Sequence, residues 1–272
     1  MGKHWSLDDI PWERFDAAAV DAEVVKAIKA VALVEHDSAD YVTYLCNVFE
    51  GEPEFQAAVR RWGAEEEQHG KALARWARLA DPGFDLEHCL ARFRAGYRLP
   101  LEVRASVRGS RSAELLARCV VGAGTSALYS ALRDATDEPV LKAISQRIAG
   151  DEFRHYKLFY EHLKRYRVAE PLALWRRLRV AFGRVAETTD DELAFAYHCA
   201  TGERAAYDRK RSSRAYERRV AGLYRFGHIA RALAMILKAV GLKPQGRLHK
   251  LLARAAWRWL GLRKRRLERL AA

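Results

Sequence analysis

Apolar residues recur through most of the chain at alternating spacings of three and four, with almost no strand-like alternation, and this pattern predicts an all-α protein. A first long helix is expected from about Ala17 to Glu50, and a Gly51-Glu52-Pro53 turn leads into a second that ends near Asp81-Pro82-Gly83. A connecting segment with a short helix around Leu86 to Phe93 crosses to a third helix, which starts near Ser110 or Ser112. Thr136-Asp137-Glu138-Pro139 ends that helix and starts a fourth, because Thr or Asp can cap a helix and Pro fits its first turn. Short turn, long crossover, short turn is the plan of a four-helix bundle made of two hairpins, here over residues 17–167 after a lead-in of residues 1–16. A further pair follows in residues 168–208: one helix from Pro171 to Thr188 and one from the cap signal Thr189-Asp190-Asp191-Glu192 to about Cys199. Residues 209–272 read as amphipathic helices, with stripes such as Ile229, Leu233, Ile236, Leu237 and Val240, then Leu248, Leu251, Leu252, Ala255, Trp259 and Leu262.

Three of the inward stripes are interrupted. On the first helix the face is Val25, Ile28, Ala32, Glu35, Ala39, Val42, Cys46 and Phe49, broken by one carboxylate. On the second, Glu66 and His69 interrupt Phe55, Val59, Trp62, Leu73 and Trp76; on the fourth, Glu152 and His155 interrupt Leu141, Ile144, Ile148 and Phe159. A core that carries three carboxylates needs a compensating positive charge, and a metal ion is the simplest one. Glu-x-x-His places both side chains on one helical face, one turn apart, where they can share a metal or bridge two. A single such motif would be read as an exposed polar turn. Here there are two, each in the middle of a long helix and 15 to 18 residues past a turn. Glu35 lies 16 residues before Gly51, and Glu66 and His69 lie 15 and 18 after it, so antiparallel pairing brings all three to one level. The same count on the second hairpin points near position 121, where the inward residue is Gly122. Glu114 lies eight residues upstream, about 12 Å along the axis and about 80° round it, too far to substitute. Tyr129 and Tyr44 read first as core packing, and Cys119 as a small core residue.

With Glu35, then Glu65-Glu66-x-x-His69, then Asp151-Glu152-Phe153-Arg154-His155, the chain resembles the ferritin-like diiron-carboxylate superfamily over about residues 17–167. That group includes rubrerythrins, ferritins, acyl-carrier-protein desaturases, multicomponent monooxygenases, a tRNA hydroxylase and the ubiquinone-pathway hydroxylase. The resemblance implies a ferritin-like four-helix bundle and an oxidoreductase that activates O₂ or peroxide, with Glu35, Glu66, His69, Glu152 and His155 as its catalytic, metal-ligating set. It implies two Fe ions, with Mn or a mixed Mn/Fe pair accepted by the same ligands. Glu35 and His69 would bind one ion, His155 the other, and Glu66 and Glu152 would bridge. Asp151 and Glu65 would each accept the free ring N–H of the histidine across the bundle. The family pattern has a fourth carboxylate where Gly122 stands, so occupancy of the second ion is in question at that position. A non-catalytic metal-binding or scaffold protein with a degenerate site is the alternative, and iron storage a further one.

Composition adds a division of charge. The chain of 272 residues has a formal net charge of +13, but Arg209 to Ala272 holds 19 Lys and Arg against 2 Asp and Glu, a net +17, leaving −4 for residues 1–208. The basic tail is expected to pack on the acidic bundle or on a second copy in a homodimer, to lie on an anionic membrane surface, or to contact nucleic acid. The four scattered cysteines, without a Cys-x-x-Cys pair, exclude a rubredoxin-type module, so an external electron donor is expected. No apolar run appears long enough to span a bilayer and Met1 to Asp9 lacks a secretory core, so the expected location is cytoplasmic, at most peripheral to the inner membrane face.

Overall fold

The computed structural model describes residues 4–187, 191–202 and 205–270, and the described residues are all-helical, with no strand. After short 3-10 turns at Leu7–Asp9, Trp12–Arg14 and Ala17–Ala19, the helices are α1 (Ala22–His36), α2 (Ser38–Val48), α3 (Pro53–Ala80), α4 (Leu86–Gly96), α5 (Arg111–Ala135) and α6 (Pro139–Ala169). They continue as α7 (Leu174–Ala186), α8 (Asp191–Ala200), α9 (Arg209–Ala221), α10 (Phe226–Val240) and α11 (Arg247–Arg269). Thr189 and Asp190 of the expected cap lie outside the described residues.

The expected helix from Ala17 to Glu50 is two helices. Asp21 caps α1, accepting from the backbone N–H groups of Glu23 and Val24, and the chain bends at Asp37, whose ψ of 27° departs from helical geometry. Arg94 holds the Asp37 carboxylate at 2.7 Å. The bend changes the phase of the inward face: Ser38, Leu45 and Val48 are buried, Ala39 is exposed, and Val42 and Cys46 are only half-buried. Up to Glu35 the single-helix pattern holds, because the break comes after it.

α3 begins with Pro53 in its first turn and α5 with Ser110, whose hydroxyl accepts from the Ala113 N–H. The cap of α6 is Glu138, not Thr136 or Asp137. Its carboxylate accepts from the N–H groups of Val140 and Leu141 and also from the Trp76 indole at 2.6 Å, so the buried acid is satisfied by one helix end and the neighbouring hairpin. The α1–α2 arm packs along α3, α5 packs along α6, and α3 faces α6. Gly70 permits the first of these contacts, since a Cβ there would lie 2.5 Å from the His36 backbone N. That close approach brings the end of α1, and Glu35 with it, onto α3.

The basic tail is part of this assembly. α9 packs on α1 and α10 on α5, and α11 lies over α9 and α10. Polar contacts fix the join: Tyr156 donates to the Met235 carbonyl at 2.8 Å, Arg177 to that of Val240 at 2.6 Å, and His228 meets Asp134 at 3.0 Å. α5 corrects one sequence reading, because it is long and apolar enough to cross a membrane, but 72% of its apolar stretch is buried among the other helices. Among the described residues no other single helix qualifies, and the α9 and α10 pair is bent by 114°.

Candidate metal centre

Glu35 from α1, Glu66 and His69 from α3 and Glu152 from α6 each direct a ligand atom to one point, all within 4.8 Å of one another and all buried. His155, one turn after Glu152, faces the same carboxylates from the other side: its Nδ1 lies 3.0 Å from Glu66 Oε1 and 3.7 Å from Glu152 Oε1. His69 Nδ1 lies 3.6 Å from Glu35 Oε2, 3.6 Å from Glu66 Oε2 and 3.8 Å from Glu152 Oε1. Glu66 therefore turns one oxygen to each histidine, Glu152 stands between them, and Glu35 serves the His69 side.

The far nitrogens are held from outside the cluster. His69 Nε2 is 2.9 Å from Asp151 and His155 Nε2 is 2.8 Å from Glu65, so in each ring Nε2 carries a proton and Nδ1 faces inward, where its lone pair can bind a metal once the ring is neutral. Both Nδ1 atoms and Glu152 Oε1 are buried without a hydrogen-bond partner. Such atoms are rare in folded proteins, and bound cations would satisfy them. Glu35, Glu66, His69 and Glu152 can hold a metal ion.

Ionisation tells the same story. Burial, together with the negative charge of Glu66, raises the Glu35 pKa well above the ordinary 4.5. Burial also pushes Glu66 upward, but the hydrogen bond from Glu35 and the charge of His155 outweigh it and hold Glu66 well below that value. Burial works against a charged ring at His69 and at His155, yet the surrounding carboxylates prevail and both pKa values lie well above 6.5. Without a metal, protons supply the positive charge that the carboxylates require.

α5 contributes hydroxyl groups in place of a carboxylate. Thr125 donates to Glu152 Oε2 and Tyr129 to Glu35 Oε1, each at 2.5 Å. Gly122 is buried, but its bare side faces α6, where a Cβ would lie 3.2 Å from the Tyr156 Cβ and 3.3 Å from the Tyr156 backbone N. The hydroxyl that meets Glu152 comes from Thr125, three residues further on, whereas a side chain at Gly122 would need α6 to give by a few tenths of an ångström at Tyr156. Tyr44 donates to Glu114 at 2.9 Å and lies with it away from the cluster; Cys119 is fully buried and burial raises its pKa far above the ordinary 9.0.

The lead-in segment closes the outer side. Trp5 donates its indole N–H to Asp151 at 2.7 Å and stacks over His69 with ring centroids 6.0 Å apart, while Gln68 donates to the Trp5 carbonyl. His4 lies 3.3 Å from Asp151 and 3.5 Å from Glu65. Nothing in the sequence marks these residues, since residues 4 and 5 belong to no periodic segment. Thr125, one turn from Gly122, was within reach of a register argument that allowed for one turn of error.

A cavity of about 400 Å³ runs from Glu35, Glu66 and Glu152 between α1, α5 and the C-terminal helices. Its walls are mainly apolar, with Val31, Leu128, Tyr216, Ile229 and Leu260, and Trp259 stands on its rim. Outside the cluster the lining holds three arginines and three glutamates, and Arg118, Arg184 and Arg263 each pair with a carboxylate.

Neither a protein-family model nor a curated protein sequence matches the chain.

Proposed function

We propose that the two hairpins form a ferritin-like four-helix bundle and that the chain is a dimetal oxidoreductase acting on a small apolar substrate. Two irons are the native ions in this reading, and an external donor supplies electrons. The observation that carries it is the pair of buried, unpartnered Nδ1 atoms of His69 and His155, facing each other across Glu66 and Glu152. With one ion beside His69, His155 Nδ1 would still face Glu66 Oε1 at 3.0 Å, where a proton or a second ion joins them.

When bound, a pair of redox-active divalent ions supplies electrons to O₂ or peroxide. The chain does the rest. Asp151 and Glu65 fix both ring tautomers, Tyr129 and Thr125 hold the outer oxygens of Glu35 and Glu152, and Trp5 covers His69 on the side away from the cavity. The cavity presents mainly apolar walls to the substrate. Its balanced, paired charges give an anionic substrate no dedicated partner. Anaerobic Fe(II) loading followed by O₂ tests the redox claim: a near-ultraviolet absorption band that grows only with O₂ supports it, and a spectrum unchanged by O₂ contradicts it.

A second reading, a metal-binding protein without turnover, is favoured by the hydroxyl of Thr125 in place of a fourth carboxylate. It requires metal binding without the O₂-dependent band.

A further inference from the structure

α11 has two apolar faces, and only one of them is used. Ala253 and Leu267 are buried against the rest of the protein. Leu248, Leu251, Ala255, Trp259 and Leu262 follow at spacings of three, four, four and three, which at 100° per residue places them within one stripe on a different side of the helix. That stripe is open to solvent: Leu251, Trp259 and Leu262 are 65%, 64% and 60% exposed. Single exposed apolar residues need no explanation, but a stripe along four turns of one helix does.

The charges beside the stripe identify what covers it. α11 holds nine Lys and Arg and one Glu, and Arg247, Arg254, Arg258 and Arg265 run together along one edge of the stripe. All four are exposed, and none forms an ion pair with a carboxylate among the described residues, whereas Arg263, on the opposite edge, is taken by Glu217 at 2.7 Å. A second copy presenting the same stripe would bring two strongly positive helices together. Nucleic acid would leave the Leu and Trp centre unused.

We infer that α11 docks on an anionic lipid bilayer, its Leu and Trp stripe entering the headgroup boundary and the arginine edge pairing with lipid phosphates. Long arginine stems let the charge stay at headgroup level while the stripe goes deeper, and Trp has a high affinity for that boundary. Trp259 belongs both to the stripe and to the rim of the cavity, so the docked face is the one on which the cavity opens. The inference does not depend on metal.

Full-length protein is sedimented with vesicles of phosphatidylcholine alone and of phosphatidylcholine with about one third phosphatidylglycerol. Binding is expected to the anionic vesicles and to fall about tenfold or more both in Leu251→Ser/Trp259→Ser/Leu262→Ser and in Arg247→Gln/Arg254→Gln/Arg258→Gln/Arg265→Gln. The substituted stripe residues are exposed, so thermal melting should stay at the parent value; if the triple variant melts early, Leu251→Ser/Leu262→Ser replaces it. Absence of binding to anionic vesicles overturns the inference. So does undiminished binding by the stripe variant, which would mean a purely electrostatic contact, or a dimer in solution that the stripe variant abolishes.

Discussion

His69 and Asp151 stand on opposite hairpins, 82 residues apart in sequence, and join at 2.9 Å with both side chains fully buried. The contact fixes which nitrogen of His69 faces the carboxylate cluster, and it ties α3 to the residue just before Glu152. Asp151 also accepts from Trp5 and pairs with Arg154, so its charge is stabilised from three directions.

Asp151→Asn keeps the shape but removes the negative acceptor. Metal affinity at the His69 side is expected to fall by about 10- to 100-fold, measured by competition with a chelating dye, with helix content unchanged. A variant that binds metal as the parent does would show that the ring is held by packing alone.

Placing an acid on α5 separates two positions. Thr125→Glu puts a carboxylate beside Glu152 and is expected to tighten binding of the ion on the His155 side. Gly122→Glu is expected to destabilise the fold by about 1–3 kcal/mol in thermal or urea unfolding, with no gain of metal, because its Cβ meets Tyr156. The reverse order of effects would restore Gly122 as the vacant ligand position.

Both Glu-x-x-His motifs and their common depth were legible because burial of charge on a periodic stripe is a strong signal and the turn at Gly51 supplies a ruler. The ruler failed on α5, where helix separation, which no periodicity reports, decides that Gly122 abuts α6 and Thr125 meets Glu152. The bend at Asp37 was hidden for a related reason: a helix can shift phase between two apolar stretches without losing its period of three and four. Trp5 and His4 reach the site by a long-range contact that has no local signature.

The pH dependence of the metal-free protein follows from its protons. His69 and His155 have folded pKa values raised above 6.5, so their contribution to stability is complete below that value and is lost as pH rises through the folded values. Glu35, raised above 4.5, changes stability in the same direction, whereas the lowered Glu66 contributes above 4.5 and is lost in acid. The melting temperature of the apoprotein is expected to fall as pH increases from about 6 to about 9, and metal loading, which replaces those protons, is expected to remove the fall. An apoprotein melting curve independent of pH over that range would contradict the protonated cluster.

Leu128→Trp fills part of the apolar cavity from α5 without touching a ligand. Binding of an apolar fluorescent probe is expected to drop, while metal stoichiometry stays at the parent value. Loss of metal in this variant, or unaltered probe binding, would detach the cavity from the proposed substrate role.

The number of ions held after anaerobic Fe(II) loading and removal of excess metal, on the parent protein and on His155→Ala, tests whether the site takes two metals. Two irons per chain are expected in the parent and one in His155→Ala, since Glu35, Glu66, His69 and Glu152 remain together on the other side. One iron or none in the parent would contradict a two-metal site.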